Sequence, residues 1–159
     1  MAGRDALPYP QAPVGIGGWL SFFITLIIVV RPLVSAAHFA GEFQKIEEAA
    51  PGIAEVESYA AFISYAWYVI GAAALLCAAA GVLLCLRHRW DSVKFTVWVL
   101  WLTGPGLLFA LGLYIAEGES WGAELFWDLK NFATSCGFPA IWSAYLLLSK
   151  RVRNTYPRL

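Results

Sequence analysis

The sequence predicts an all-α fold, a four-helix transmembrane bundle formed by a single domain over residues 1–159. Of the 159 residues, 60% are hydrophobic and only 14% are charged, whereas globular domains average about 45 to 50% apolar and 25% charged residues. The stretch from Ala60 to Leu86 carries no charged side chain and ends abruptly in Arg87. Because about 20 apolar residues of helix cross a hydrocarbon core, this stretch alone indicates an integral membrane protein.

Four apolar segments separated by charged connections are the predicted spans. They cover about residues 16–37, 59–86, 92–116 and 131–149. A proline inside a helix removes a backbone hydrogen bond, so Pro105 and Pro139 predict kinks in the third and fourth helices. For the same reason we expect Pro32 to bend or end the first helix.

The connection after the first span predicts a short amphipathic segment on the outer membrane surface. Phe39, Phe43 and Ile46 recur at helical spacing in an acidic stretch that ends at Pro51-Gly52. Arg31 lies near the far end of the first span, from which its long side chain can reach the headgroups.

The alternative for the first span is a cleavable signal peptide, with Val34-Ser35-Ala36 imitating a processing site. The basic leader that such a peptide needs is weak, because Arg4 stands beside Asp5. We therefore expect the segment to remain as a span.

Small side chains follow a three-four spacing along the second span. Gly71, Ala74, Ala78 and Gly81 form this seam. Small residues let a neighbouring backbone approach closely, so the seam is expected to face another helix.

The basic residues are distributed unevenly between the two sides of the predicted bundle. The termini and the connection after the second span contain Arg4, Arg87, Arg89, Lys94, Lys150, Arg151, Arg153 and Arg158. The other two connections contain only Arg31, Lys45 and Lys130. Since cytoplasmic connections are enriched in Lys and Arg, both termini are predicted to be cytoplasmic.

Few residues suggest chemistry. Cys85, His88 and Asp91 lie at successive three-residue steps, but their flanking Arg and Trp residues are typical of an interfacial helix end. His38 and Glu42 could supply two metal ligands, but two ligands are too few to form a metal site. We expect no catalytic residue, cofactor or metal, no enzymatic activity and no nucleic-acid partner.

The two ends of the sequence resemble a known family. Gly15-Ile16-Gly17-Gly18-Trp19-Leu20 opens the first span, and Ser149-Lys150-Arg151-Val152-Arg153-Asn154-Thr155-Tyr156 closes the fourth. With Pro32, Trp142 and Tyr145, these motifs resemble the bacterial inner-membrane family called domain of unknown function 2569. The resemblance implies four spans and a bacterial inner membrane, without an established activity.

Two functions are compatible with these patterns, and the sequence favours the first over the second. The first is a non-enzymatic accessory or interaction protein that packs against a membrane protein partner or another copy of itself. The second is a binder or carrier of lipid or another small amphiphile, using a cavity opened by the kinks. An apolar cavity reachable from the bilayer would favour the second function.

The predicted orientation places the two family motifs on the same, cytoplasmic side of the membrane. The residues proposed there as a surface for anionic lipid or for a partner are Gly17, Gly18, Trp19, Lys150, Arg151, Arg153 and Asn154. Uncovered N–H groups at a helix start and mobile cations suit an anionic headgroup. Orientation alone also accounts for the basic residues.

Overall fold

The structure is a computed structural model that describes residues 15–117 and 129–157, with side chains described for residues 15–113 and 132–157. Residues 118–128, which belong to the predicted second outer connection, lie outside the described residues. The described ranges are helical and contain no strand, which confirms the all-α fold.

The first helix is continuous from Trp19 to Ala49, a length of 31 residues. It consists of α1 (Trp19–Thr25), a π-helical turn (Leu26–Val30) and α2 (Arg31–Ala49). At 1.5 Å per residue it is about 46 Å long, well beyond a hydrocarbon core of about 30 Å.

The sequence predicts that Pro32 bends or ends the first helix, and the helix does not end there. The π-helical turn directly before it changes the hydrogen-bonding register, so the proline stands in the first turn of α2, where its missing N–H is tolerated. The predicted amphipathic outer segment is therefore the second half of α2, with Phe39 and Phe43 buried in the protein.

The later elements follow a short 3-10 turn at Ile53–Glu55. They are α3 (Glu57–Leu86), α4 (Trp90–Thr103), α5 (Pro105–Glu117), α6 (Leu129–Leu148) and α7 (Lys150–Thr155). The axis bends by 42° between α4 and α5, which confirms the kink predicted at Pro105. Helix α6 continues through Pro139.

Two helices in the described part of the chain are long and apolar enough to cross a membrane. They are Trp19–Ala49 and Glu57–Leu86, and the bent pair α4–α5 adds a third if it forms one span. The described apolar part of α6, Phe132–Leu148, is shorter.

Two clusters of buried apolar side chains hold the helices together. The first contains Leu20, Phe23, Ile27, Leu84, Leu100, Leu146, Val152 and Tyr156. The second contains Phe39, Phe43, Phe62, Ile70, Leu107 and Leu111. Helix α3 packs against α4, and α4 in turn packs against α6, so the first cluster joins elements from both ends of the chain.

In the small-residue seam of α3, another helix packs closely against Gly81 but not against Gly71. A Cβ atom at Gly81 would overlap the side chain of Ile28 in the π-helical turn, so the glycine permits the closest approach of the two helices. Gly71 is exposed, and a Cβ atom there would meet no described atom within 4 Å.

Replacing Gly81 by Ala should therefore lower the thermal unfolding midpoint in detergent, because overpacking typically costs about 1 to 3 kcal/mol. Gly71→Ala is the matched control on the same helix and should be neutral or raise the midpoint, since Ala favours helix by up to about 1 kcal/mol. Equal effects of the two substitutions would contradict the close contact.

Candidate binding site

The structure brings the glycine-rich opening of the first helix and the basic tail together, as the orientation argument predicted. The Gly15 N–H donates to Thr155 Oγ1 at 3.0 Å, and Arg151 Nε donates to the Gly15 carbonyl oxygen at 3.4 Å. Cβ atoms built on Gly17 and Gly18 would each lie 3.0 Å from a terminal nitrogen of Arg151. The guanidinium thus occupies the space that the two glycines leave.

The other residues of the predicted cytoplasmic surface have mixed surroundings. Trp19 is 69% exposed and contacts Phe22 edge-on at 5.7 Å. Arg153 donates to the Leu148 carbonyl oxygen at 2.9 Å, whereas Lys150 and Asn154 are exposed. Since Arg151 and Arg153 both donate to backbone carbonyls, these two cations stabilise the fold whether or not the surface binds a ligand.

Tyr156 anchors this tail to the rest of the bundle. Its hydroxyl donates to the Leu84 carbonyl oxygen at 2.7 Å, and its ring stacks on His88 at 5.8 Å. Burial raises the pKa of Tyr156 to about 12, with a smaller contribution from the nearby Cys85. The hydrogen bond ties α7 to the end of α3, where Leu84 is one of the last helical residues.

Tyr156→Phe removes the hydroxyl and leaves the buried Leu84 carbonyl without its donor, which should cost about 1 to 3 kcal/mol of unfolding free energy. Tyr68→Phe, on a side chain that is 80% exposed, should have little effect. Denaturation in detergent measures both variants.

The stability difference between wild type and Tyr156→Phe has a defined pH dependence. A raised pKa means that the folded protein holds the phenolic proton more tightly than the unfolded chain does, so the stabilisation is complete below about pH 10 and declines as the pH approaches 12. The stability advantage of wild type over Tyr156→Phe should narrow in that interval. An advantage that is constant with pH would contradict this role of the proton.

A cavity of about 540 Å³ lies between α2, the α4–α5 bend and α6, and we call it the Arg31 cavity. Its lining from the π-helical turn and α2 includes Leu26, Val30, Arg31, Val34, Ser35, His38, Phe39, Glu42, Phe43 and Ile46. The bend contributes Thr103, Gly104, Leu107 and Leu108, and α6 contributes Thr134, Ser135 and Phe138. Its volume lies within the range of about 300 to 1,000 Å³ that small-molecule sites occupy, and its lining is largely apolar, as it is in such sites.

Arg31 is the only cationic Lys or Arg side chain that lines this cavity within the described residues. Its guanidinium carbon lies 4.5 Å from the centre of the Phe138 ring, in a cation–π contact. One terminal nitrogen, Nη1, is buried without a hydrogen-bond partner in the described part of the structure. The side chain is therefore held against α6 and the α4–α5 bend.

The charge of Arg31 is only partly compensated. A cation–π contact contributes about 0.5 to 2 kcal/mol, whereas an arginine near the centre of a membrane helix costs about 3 kcal/mol or more. Glu42 lines the same cavity but pairs with Lys45 at 2.8 Å, and it follows Arg31 by about 16 Å along the helix.

Sequence reasoning did not identify Arg31 as a binding residue, although one signal was available. An ionisable residue within an apolar span marks a functional site by default, and Arg31 precedes Pro32 in the middle of a continuous helix. The expectation that Pro32 bends or ends the helix placed Arg31 near the far end of the first span and hid this signal.

The other residues considered for chemistry are in ordinary contacts. His88 stacks on Tyr156, and Asp91 lies 3.6 Å from Arg89 and 3.9 Å from Lys94. The Cys77 thiol donates to Thr103 Oγ1 at 3.6 Å. Across residues 15–113 and 132–157, no three His, Cys, Asp or Glu side chains are grouped so that they could hold a metal ion.

The fold and the cavity define a helical membrane-associated protein with a charged residue inside its bundle. The family model described as "Protein of unknown function (DUF2569)" matches residues 13–157. The chain belongs to this family, which confirms the resemblance of its two end motifs. No curated protein matches the chain, and no solved structure does so either.

Proposed function

We propose that this protein is a non-enzymatic, four-span protein of the bacterial inner membrane that holds a lipid or another small amphiphile in the Arg31 cavity. The main observation in support of the proposal is the Arg31 cavity of about 540 Å³. It is lined by apolar side chains along the second half of the first helix. Val30 and Val34, which line it, are 41% and 61% exposed, so the cavity borders the protein surface that an acyl chain would meet.

The irregular backbone around the cavity supports the same function. Non-helical backbone inside a membrane is tolerated where it is buried in protein or lines a cavity. Both the π-helical turn and the α4–α5 bend border the cavity through Leu26, Val30 and Gly104.

The second candidate is an interaction protein without a small ligand. It is favoured by the exposed Gly71 on α3, where a neighbouring helix could approach closely. Such a protein would bind a partner subunit or a second copy of itself, and anionic lipid around the basic tail would be compatible with either candidate.

A cavity-filling substitution tests the binding of an amphiphile. Ser35→Phe places a ring inside the cavity, whereas Ala37→Phe places the same ring on an exposed position of the same helix that does not line it. After gentle extraction, native mass spectrometry should find a lipid-sized ligand on wild type and Ala37→Phe and a clear loss on Ser35→Phe.

Equal ligand occupancy of the three proteins would contradict binding in the cavity. Bound protein subunits without any lipid-sized ligand would instead favour the interaction protein.

The proposed orientation places both termini in the cytoplasm and the connection near Glu48 outside. In a background without Cys77, Cys85 and Cys136, a cysteine at Glu48 should react with an impermeant thiol reagent in intact cells. A cysteine at Asn154 should react only after the membrane is permeabilised. The opposite pattern would show that the orientation is inverted.

A further inference from the structure

Arg31 lies deep in the first helix. It follows Trp19 by about 18 Å at 1.5 Å per residue, a distance greater than half the thickness of a hydrocarbon core of about 30 Å. Its neighbours from the other helices are Gly104, at the bend between α4 and α5, and Phe138, near the middle of α6.

Three features fix the guanidinium at this level. The Phe138 ring lies under it at 4.5 Å. Gly104 leaves it room, because a Cβ atom there would lie 3.2 Å from Nη2 of Arg31. The π-helical turn sets the direction in which the first residue of α2 points into the cavity.

Nη1 of Arg31 can still donate a hydrogen bond. It is buried and has no hydrogen-bond partner among the described residues. The neighbouring hydroxyl of Thr103 already donates to the Val99 carbonyl oxygen at 2.7 Å and accepts from Cys77. A buried donor on a fixed cation is best satisfied by an anionic acceptor, and no described residue accepts a hydrogen bond from Nη1, since Glu42 pairs with Lys45.

We propose that Arg31 receives the anionic head of the ligand, so that the cavity selects an amphiphile with a carboxylate or phosphate group over a neutral one. This inference rests on the proposed function and specifies its ligand class. The guanidinium presents paired N–H donors that match the oxygens of either group. Ser35, one helical turn further along α2, lines the same cavity and offers a hydroxyl to the head.

The tail of the ligand follows from the rest of the lining. Val30, Val34 and Leu108 present apolar side chains beside Arg31, and Phe39 continues this surface along α2. A single acyl chain lying against these side chains keeps its head on Arg31 without exposing the charge to lipid.

The test compares ligands that share one chain and differ in the head. Purified protein in a mild detergent is titrated with hexadecanoate, hexadecyl phosphate and hexadecanol, and with inorganic phosphate as the head alone, and native mass spectrometry reports occupancy. We expect at least one of the two anionic amphiphiles to bind at least about tenfold more tightly than hexadecanol, since charge-assisted hydrogen bonds are worth that factor or more. Inorganic phosphate should bind weakly because it lacks the chain.

Variants assign the preference to the side chain. Arg31→Gln should abolish the preference for the anionic head while hexadecanol binds as to wild type, and Arg31→Lys should retain part of it because Lys keeps the charge without the planar donors. Arg87→Gln, which removes an exposed cation beyond α3, is the matched control and should behave as wild type.

The possible failures are distinguishable. If hexadecanol binds as tightly as the anionic amphiphiles to wild type, the cavity still binds amphiphiles but the role of Arg31 is wrong. An anion preference that persists in Arg31→Gln also overturns that role. If no chain-bearing compound binds to wild type, the proposed function itself fails. The comparison of heads on wild type remains decisive even if Arg31→Gln does not fold.

Discussion

A positive charge inside an apolar helix must be surrounded by groups of its own protein, and this constraint on Arg31 organises the middle of the bundle. Exposure of the guanidinium to lipid would be costly, so three helices provide its surroundings. Phe138 supplies the ring beneath it, and Gly104 supplies the space beside it. The contact is therefore a property of the packed bundle and not of the first helix alone.

Hydrogen bonds hold together the end of the bundle where the first and the last helix meet. The last helix returns to the start of the first helix through Gly15, Thr155 and Arg151, and to the end of α3 through Tyr156 and Leu84. Each contact satisfies a backbone group that has no partner within a helix, since Gly15 precedes α1 and Leu84 lies in the last turn of α3. The buried Val152 and Tyr156 belong to the same apolar cluster as Leu20 and Leu84, so the polar contacts and the hydrophobic packing support one another.

Much of this architecture could be predicted from local patterns. The long apolar run of α3 gave its bounds within a few residues, and Gly104-Pro105 gave the bend between α4 and α5. The predicted four spans would return the chain to its starting side, and Gly17 and Arg151 do lie together in the structure. These inferences need only composition, charge and the hydrogen-bonding limits of proline.

The surroundings of Arg31 could not be predicted in this way. The residues that receive its side chain, Gly104 and Phe138, lie far along the chain, and no pattern around Arg31-Pro32 names them. The preceding π-helical turn was also not visible, since Leu26 to Val30 is an ordinary apolar sequence. Local rules for proline therefore predicted a bend or a helix end where the packed structure has a change of hydrogen-bonding register.

The irregular backbone and the cavity have one physical origin. A π-helical turn widens the first helix just before Arg31, while Gly104 allows α4 and α5 to bend away from a straight axis. Pro139 abuts this bend, because its Cγ lies 2.9 Å from the position of a Cβ atom on Gly104. Two departures from regular helix, the π-helical turn and the α4–α5 bend, thus border one cavity. Since Arg31 begins the regular helix after the first of these departures, the space that the irregular backbone opens also receives the charge.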